Sequence, residues 1–295
     1  MAYRKFWLIN SLGERYDFAD PNKKENVFLN NPEGLGFQRA YTSLVVGNSE
    51  LVTSQQFQLT DFKGSLVFFN GNNGTRYQAY FDFLKFAKYK PLELHYLTPN
   101  ELKSYHCDVL FIQADKTEVK TGDVLAIPLT FHRLTEWLTD DDVVYPLTND
   151  PTGDGKKYDL AYNYSYSGTS LADTVLTNNG TDDIGFVITV EGEVQNMQFS
   201  LSQNGETYGI CKINGTYDFV QIDSVERTES IYMENNGSVV TNPEQYQDFT
   251  IRNGASYLTW LKLKVGESHF SFTCGNIDSF DGTVTISFKE SYVSV

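Results

Sequence analysis

The chain has 295 residues, 40% of them hydrophobic, and a formal net charge of −15. That is enough apolar material for a packed core and argues against binding to a nucleic-acid phosphate backbone. The charge is uneven: residues 1–145 carry 15 Lys+Arg against 18 Asp+Glu, whereas residues 146–295 carry 8 against 20, so a near-neutral half adjoins an acidic one.

Length alone argues for about two domains. The apolar run Phe6-Trp7-Leu8-Ile9 stops after four residues, short of a signal-peptide core, and no segment approaches the roughly 18 apolar residues of a membrane span. The expectation is synthesis in a cytoplasm without an export signal and with no membrane insertion. The 21 Phe and 19 Tyr, against 3 Trp, favour half-buried pleated surfaces, hence sheet.

In chain order, Tyr3 to Ile9 reads as a strand that turns through Leu12–Arg15 into Tyr16–Phe18. Asp20 to Glu33 is polar, with Pro21, Pro32 and several Asn, and reads as a loop or an extended excursion. Ser54 to Leu59 alternates as a strand, Ser65 to Phe69 is a more buried one, and Asn70 to Gly74 forms a turn. The one clear helix covers about 75–88: Thr75 is placed to cap it, Tyr77, Tyr80, Phe81 and Leu84 follow the i, i+3, i+4, i+7 rule, and Phe83 and Phe86 widen that face. Strands follow at Leu92–Leu97, Tyr105–Gln113 and Val124–Thr130.

The run Asp140-Asp141-Asp142 and the loop Thr148 to Gly155 then mark a boundary. Beyond it the chain reads as strand after strand: 158–166, 173–177, 184–191, 196–202, 206–213, 217–223, 249–251, 260–265, 268–274 and 283–288. Short strands with turns at this spacing argue for a sandwich. The fold class expected is mainly β with one packed helix.

No constellation of side chains reads as catalytic, cofactor-binding or metal-binding. Glu191 and Glu193 share a strand face and are the only carboxylate pair placed for sugar hydrolysis, but Gly192 and Gln195-Asn196 mark a solvated strand end. The acidic set Asp140, Asp141, Asp142, Asp150 and Asp154 lacks EF-hand spacing and reads as a solvated linker. His95, His106, His132 and His269 form no HExxH or HxH pair, and Cys107 follows His106 directly, so the two point to opposite faces of a strand. Cys107, Cys211 and Cys274 read as buried free thiols. Sequons at Asn73, Asn163, Asn179, Asn214 and Asn236 matter only in a glycosylating pathway. Tyr158, Tyr162, Tyr164 and Tyr166 have the rings to stack on sugars but suit sheet packing better.

Taken together, the motifs resemble the distal tail protein (baseplate hub) family of long non-contractile-tailed bacteriophages. In the first half the resemblance rests on Phe6-Trp7-Leu8-Ile9-Asn10, Gly13–Asp17, Asn31–Gly36, the helix 77–86 followed by Pro91–Leu94, Ile127–Phe131 and Thr135–Trp137. In the second it rests on Lys157–Tyr166, Thr177–Gly180, Ile188–Gly192 and Leu263–Ser268. It implies a belt domain at 1–140, a linker at 141–157 and an outward galectin-like β-sandwich at 158–295. It also implies a non-enzymatic, cofactor-free hexameric ring in the virion tail tip. The partners implied are copies of itself, the tail tube protein, the tail-associated lysin or tip protein, and receptor-binding proteins. The His, Asn and Trp with which galectins hold sugar have no counterparts here, Trp260 being the one Trp of the second half, so the resemblance is to a fold and not to lectin activity. Thr228–Tyr246 could serve as a partner arm. Two other classes compete: a carbohydrate-binding adhesion module, motivated by the aromatic second half, and a glycan-cleaving enzyme built on Glu191 and Glu193.

Overall fold

A computed structural model describes residues 4–19, 26–69, 73–98, 103–118, 124–148, 172–240 and 260–295. The chain forms two compact units, Met1–Asp141 with Ser291–Val295, and Asp142–Glu290.

The first unit opens with β1 (Lys5–Asn10), β2 (Arg15–Asp17) and β3 (Asn26–Glu33). A ribbon of β4 (Gln38–Val46) and β5 (Ser49–Gln58) follows, then β6 (Phe62–Phe69) and the helix α1 (Asn73–Ala87). The remaining strands are β7 (Leu92–Leu97), β8 (Ser104–Ala114), β9 (Leu125–Arg133) and β10 (Trp137–Thr139). Seven of these make one antiparallel sheet in the order β2-β1-β7-β8-β9-β6-β3, with β10 alongside β8.

Strand alternation decides which face is buried. Phe6, Leu8, Leu94, Tyr96, Tyr105, Cys107, Ile127, Leu129 and Phe131 turn to one side and pack with α1. A 15-residue helix is marginal by itself, and α1 is held by burying Ala79, Tyr80, Phe83 and Ala87. Phe83 sits 5.2 Å from Tyr16 and 5.7 Å from Phe111, ring to ring. The buried stripe is rotated from the expected one: Phe81 is exposed, and Arg76, Ala79 and Ala87 face inward, the small alanines letting the helix lie close.

Of the loop or extended excursion expected over 20–33, residues 26–33 are extended. They form β3, because Val27 and Leu29 point into the core while Phe28 and Asn30 point out, and Asn26–Asn30 pair with Ser65–Phe69. Asn31, at φ 47°, sits in the bulge before Pro32, where the regular pairing breaks.

The second unit contains β11 (Val143–Thr148), β12 (Ala172–Asn178), β13 (Val187–Gln203), β14 (Glu206–Asp223), β15 (Ser230–Asn235), β16 (Ser238–Val239), β17 (Gly266–Thr273) and β18 (Thr283–Phe288). They form an eight-stranded sheet around β13, which pairs with β14 on one edge and with β18 and then β17 on the other. The expected strands 184–191 and 196–202 are thus parts of one bent strand, as are 206–213 and 217–223. Bulges at Gly192 and Asn196 bend β13 without ending it. The extra residue at Asn196, φ 48°, re-phases the alternation: the inward residues run Ile188, Val190, Val194 and then Met197, Phe199, Leu201. Within 260–265 the one pairing is Leu263 with Ile184.

Phe186 receives a clasp at this end: its N–H donates to the Ser224 hydroxyl at 2.9 Å, and the Ser224 N–H donates to its carbonyl at 3.0 Å. Any Cβ on Gly185 would collide with the Ser224 carbonyl and Val225 backbone. Gly185→Ala is expected to cost the second unit about 1–3 kcal/mol, read as a lowered unfolding midpoint in urea.

The boundaries differ from those expected. Val143–Thr148, assigned to a linker, pairs along its whole length with β18. The chain then returns: β19 (Ser291–Tyr292) pairs with β10 in the first unit. The Tyr292 ring meets Tyr105 edge-on at 5.4 Å, and the Val295 N–H donates to the Leu35 carbonyl at 3.2 Å. Expected strands 158–166 and 249–251 lie outside the described residues, as does part of the 228–246 arm.

Candidate functional site

Two features of the first unit are not explained by its core. One is the ribbon β4–β5, whose strands, among the described residues, pair only with each other. Its apolar side chains Tyr41, Leu44, Val45, Val46, Leu51 and Phe57 are all exposed, Val45 to 76%. An isolated hairpin is at best marginally stable in water, and apolar side chains gathered on one element mark an interaction surface.

The base of the ribbon is clipped. The buried Arg133 guanidinium donates to the carbonyls of Thr60, at 3.1 Å, and Gly36, at 3.3 Å, residues that flank the ribbon's two ends. The Thr60 hydroxyl lies 3.1 Å from the carbonyls of both Gly34 and Gly36. Gly34 has φ 91° and leaves no room for a Cβ against the Asp61 backbone. Arg39 covers the Phe57 ring at 4.6 Å, and Phe37 meets Phe57 edge-on at 5.6 Å. Burial lowers the Arg133 pKa from its ordinary value.

The other feature is a row of side chains on the sheet face opposite the core. Register places Trp7 beside His95 and His95 beside His106, on β1, β7 and β8. Trp7 stacks on His95 at 5.0 Å between ring centroids and 12° between planes, and Arg15 lies 4.4 Å from the Trp7 ring centroid. His95 Nδ1 is 3.1 Å and His106 Nδ1 2.7 Å from Asp140 Oδ1. The Ser104 hydroxyl donates to Asp140 Oδ2, and Glu93 Oε2 lies 3.3 Å from His95 Nε2. Burial alone would lower the His95 pKa, but hydrogen bonds to Asp140 and Glu93 outweigh it and raise the value. Burial would raise that of Asp140, yet hydrogen bonds from His106, His95 and Ser104 hold it far below the ordinary carboxylate range.

Asp140 is therefore anchored within the first unit and is not part of a solvated tether. Asp142 instead approaches Lys289 at 3.4 Å in the second unit, while Asp150 and Asp154 lie outside the described residues. His132 pairs with Asp61 at 2.8 Å and His269 is exposed. Cys107 faces the core, opposite in direction to His106, as strand geometry requires. Burial raises the thiol pKa of all three cysteines, that of Cys211 to about 12. Glu191 and Glu193 flank the Gly192 bulge and are both exposed, with Glu193 taking a hydrogen bond from the Gln195 amide at 3.3 Å. Tyr158, Tyr162, Tyr164 and Tyr166 lie outside the described residues.

No HxH spacing signals the His95–His106 pair, because the two meet across a hairpin. The signal present was the pair of strands on either side of Thr98–Lys103, which sets His95 opposite His106 once the turn is placed. Of the ribbon, only the end of β5 showed alternation, in Ser54–Leu59; the rest left no such signal, since neither of its faces is covered.

Residues 5–134 match the family model described as the N-terminal domain of distal tail protein. No curated protein sequence matches the chain. Among solved structures, a chain of the phage P2 baseplate in its activated conformation with Ca aligns with a TM-score of 0.55 at 15% identity, covering 99% of this chain and 100% of that one. The phage SPP1 Dit protein, described as a paradigm of hub adsorption apparatus in phages infecting Gram-positive hosts, aligns with a TM-score of 0.60 at 10% identity, covering 96% and 98%. Residues 5–134 are thus similar to the N-terminal domain of distal tail proteins, and the chain shares the fold of these two baseplate and hub chains over nearly its whole length.

Proposed function

We propose that six copies of this chain close into a ring through their first units. The ring joins the tail tube protein on one side to the tail-associated lysin or tip protein on the other. The second unit, read as a galectin-like module, offers attachment for receptor-binding proteins. The role is architectural and involves no catalysis, and the assembled chain resides in the virion tail tip.

The observation that carries this reading is the exposed ribbon β4–β5. Its occupant is a neighbouring copy, for two reasons. The half of the chain that bears it is nearly neutral, 15 basic against 18 acidic residues, so copies approach without strong repulsion. β3 is also the last strand of the large sheet, and among the described residues its outer side meets only an isolated bridge from Ala19 to Phe28, so the rest of that edge invites pairing with another chain. Contacts between unlike patches close into a ring when the rotation allows it.

Light scattering after gel filtration is expected to give six times the 33.5 kDa chain mass for the unaltered protein. The double substitution Val45→Asp with Leu51→Asp should give monomer with an unchanged circular-dichroism spectrum, since neither side chain contributes to a core. A monomeric unaltered protein at high concentration, or an undiminished assembly in the double variant, would refute the ribbon's role.

A further inference from the structure

We propose that His95, His106 and Asp140 bind one divalent first-row transition-metal ion, zinc in character, which holds the end of β10 against the β7–β8 hairpin. The three ligand atoms lie within 4.8 Å of one another. Asp140 Oδ1 is 3.1 Å from His95 Nδ1 and 2.7 Å from His106 Nδ1. An ion about 2.0–2.2 Å from each ligand in a tetrahedral site needs separations of about 3.3–3.5 Å, so relative to Asp140 Oδ1 the His95 ring must retreat by about 0.2–0.4 Å and the His106 ring by about 0.6–0.8 Å, shifts within reach of side-chain rotation.

The ligands sit on rigid supports. His95 and His106 are register partners on adjacent strands, and the Asp140 N–H donates to the Ser104 carbonyl at 2.9 Å. Little ordering is needed on binding.

The surrounding groups match what metal-bound histidine and carboxylate require. Glu93 Oε2 faces His95 Nε2 at 3.3 Å, the Ser104 hydroxyl occupies Asp140 Oδ2, and Trp7 covers the His95 ring. A histidine ligand ordinarily gives its other N–H to a carboxylate, and a ligating carboxylate is itself hydrogen-bonded.

Charge supplies the reason for a cation. Both ring nitrogens of His95 face carboxylate oxygens, Asp140 at Nδ1 and Glu93 at Nε2. Without an ion the ring satisfies both carboxylates only when doubly protonated, in line with its raised pKa; a neutral imidazole has one N–H and leaves one nitrogen lone pair against a carboxylate. A metal ion at Nδ1 resolves the conflict with a single tautomer, Nε2–H donating to Glu93. Two imidazole ligands select a borderline transition metal over calcium or magnesium, which take oxygen. His106 and Asp140 keep 15% and 24% of their side-chain surface accessible, enough for a water as fourth ligand.

The test uses the full chain, stripped with chelator and titrated with zinc chloride, and with cobalt chloride read by its visible absorption. One ion per chain is expected, with the absorption intensity of a tetrahedral cobalt site. His106→Asn and Asp140→Asn should each weaken binding by more than about 10-fold, and Glu93→Gln by about 10-fold. The idea is overturned if the folded, unaltered protein takes up neither metal. It is equally overturned if His106→Asn and Asp140→Asn, shown folded by circular dichroism, bind as tightly as the parent.

Discussion

Phe131→Ala is expected to destabilise the first unit by about 3–5 kcal/mol, the cost of emptying a fully enclosed aromatic site. Phe131 is 0% exposed at the middle of β9. It pairs in register with Phe62 on β6 and Phe111 on β8, and its ring lies 6.4 Å from the first and 5.1 Å from the second. Phe111 in turn meets Phe83 of α1 at 5.7 Å, so one ring links three strands to the helix. The surrounding backbone is sheet, tied by hydrogen bonds on both sides, and collapses poorly into the cavity. Urea unfolding followed by tryptophan fluorescence separates the units, since Trp7 and Trp137 lie in the first and Trp260 in the second. The transition of the first unit should move to lower urea with little change in slope. A loss under about 1 kcal/mol would show that the aromatic row is not the centre of that core.

The second large effect concerns Arg133. Arg133→Ala is expected to cost about 2–4 kcal/mol, because a buried side chain is emptied and the carbonyls of half-buried Thr60 and of Gly36 lose a charged donor. The guanidinium also lies 5.7 Å from the Trp137 ring centroid, so its removal loosens packing. Arg133→Met separates the two roles. Methionine restores most of the volume without any donor, and replacing a buried charge by an apolar group of similar size is often well tolerated. The Met variant should recover much of the lost stability yet leave the ribbon's ends unclipped. Limited proteolysis should then cut within 37–59 far faster in both variants than in the parent. Equal protection of the ribbon in Arg133→Met would assign the clip to Thr60 alone.

How much of this was legible in the sequence follows from what covers each residue. β1, β7 and β18 were readable because one face of each meets a core, which imposes alternation such as Val284, Ile286, Phe288 inward. β3 was left open between loop and extended segment because Val27 and Leu29 stand beside asparagines, Asn30 and Asn31 facing out. Its apolar positions are correct, but its composition is that of a loop. β13 and β14 were cut into pieces because glycine and asparagine mark turns in short strands and bulges in long ones. The mainly β class with one packed helix was readable from composition and one periodic stretch. The site was hardly readable at all. Asp140 looked like a spacer charge in a run of three, and only the fold sets it beside His106 and Ser104 on β8 and His95 on β7.

The return of Ser291–Tyr292 to β10 has a consequence for how the protein is made. Leu138 waits for Ser291, more than 150 residues further along the chain, so the rim of the first unit stays open on the ribosome until the second unit has been synthesised. Contacts of such long sequence separation are slow to form. Within an assembling tail, this delay would act as a proofreading step: a chain that stalls before residue 291 presents an unfinished first unit and is poorly suited to join its neighbours.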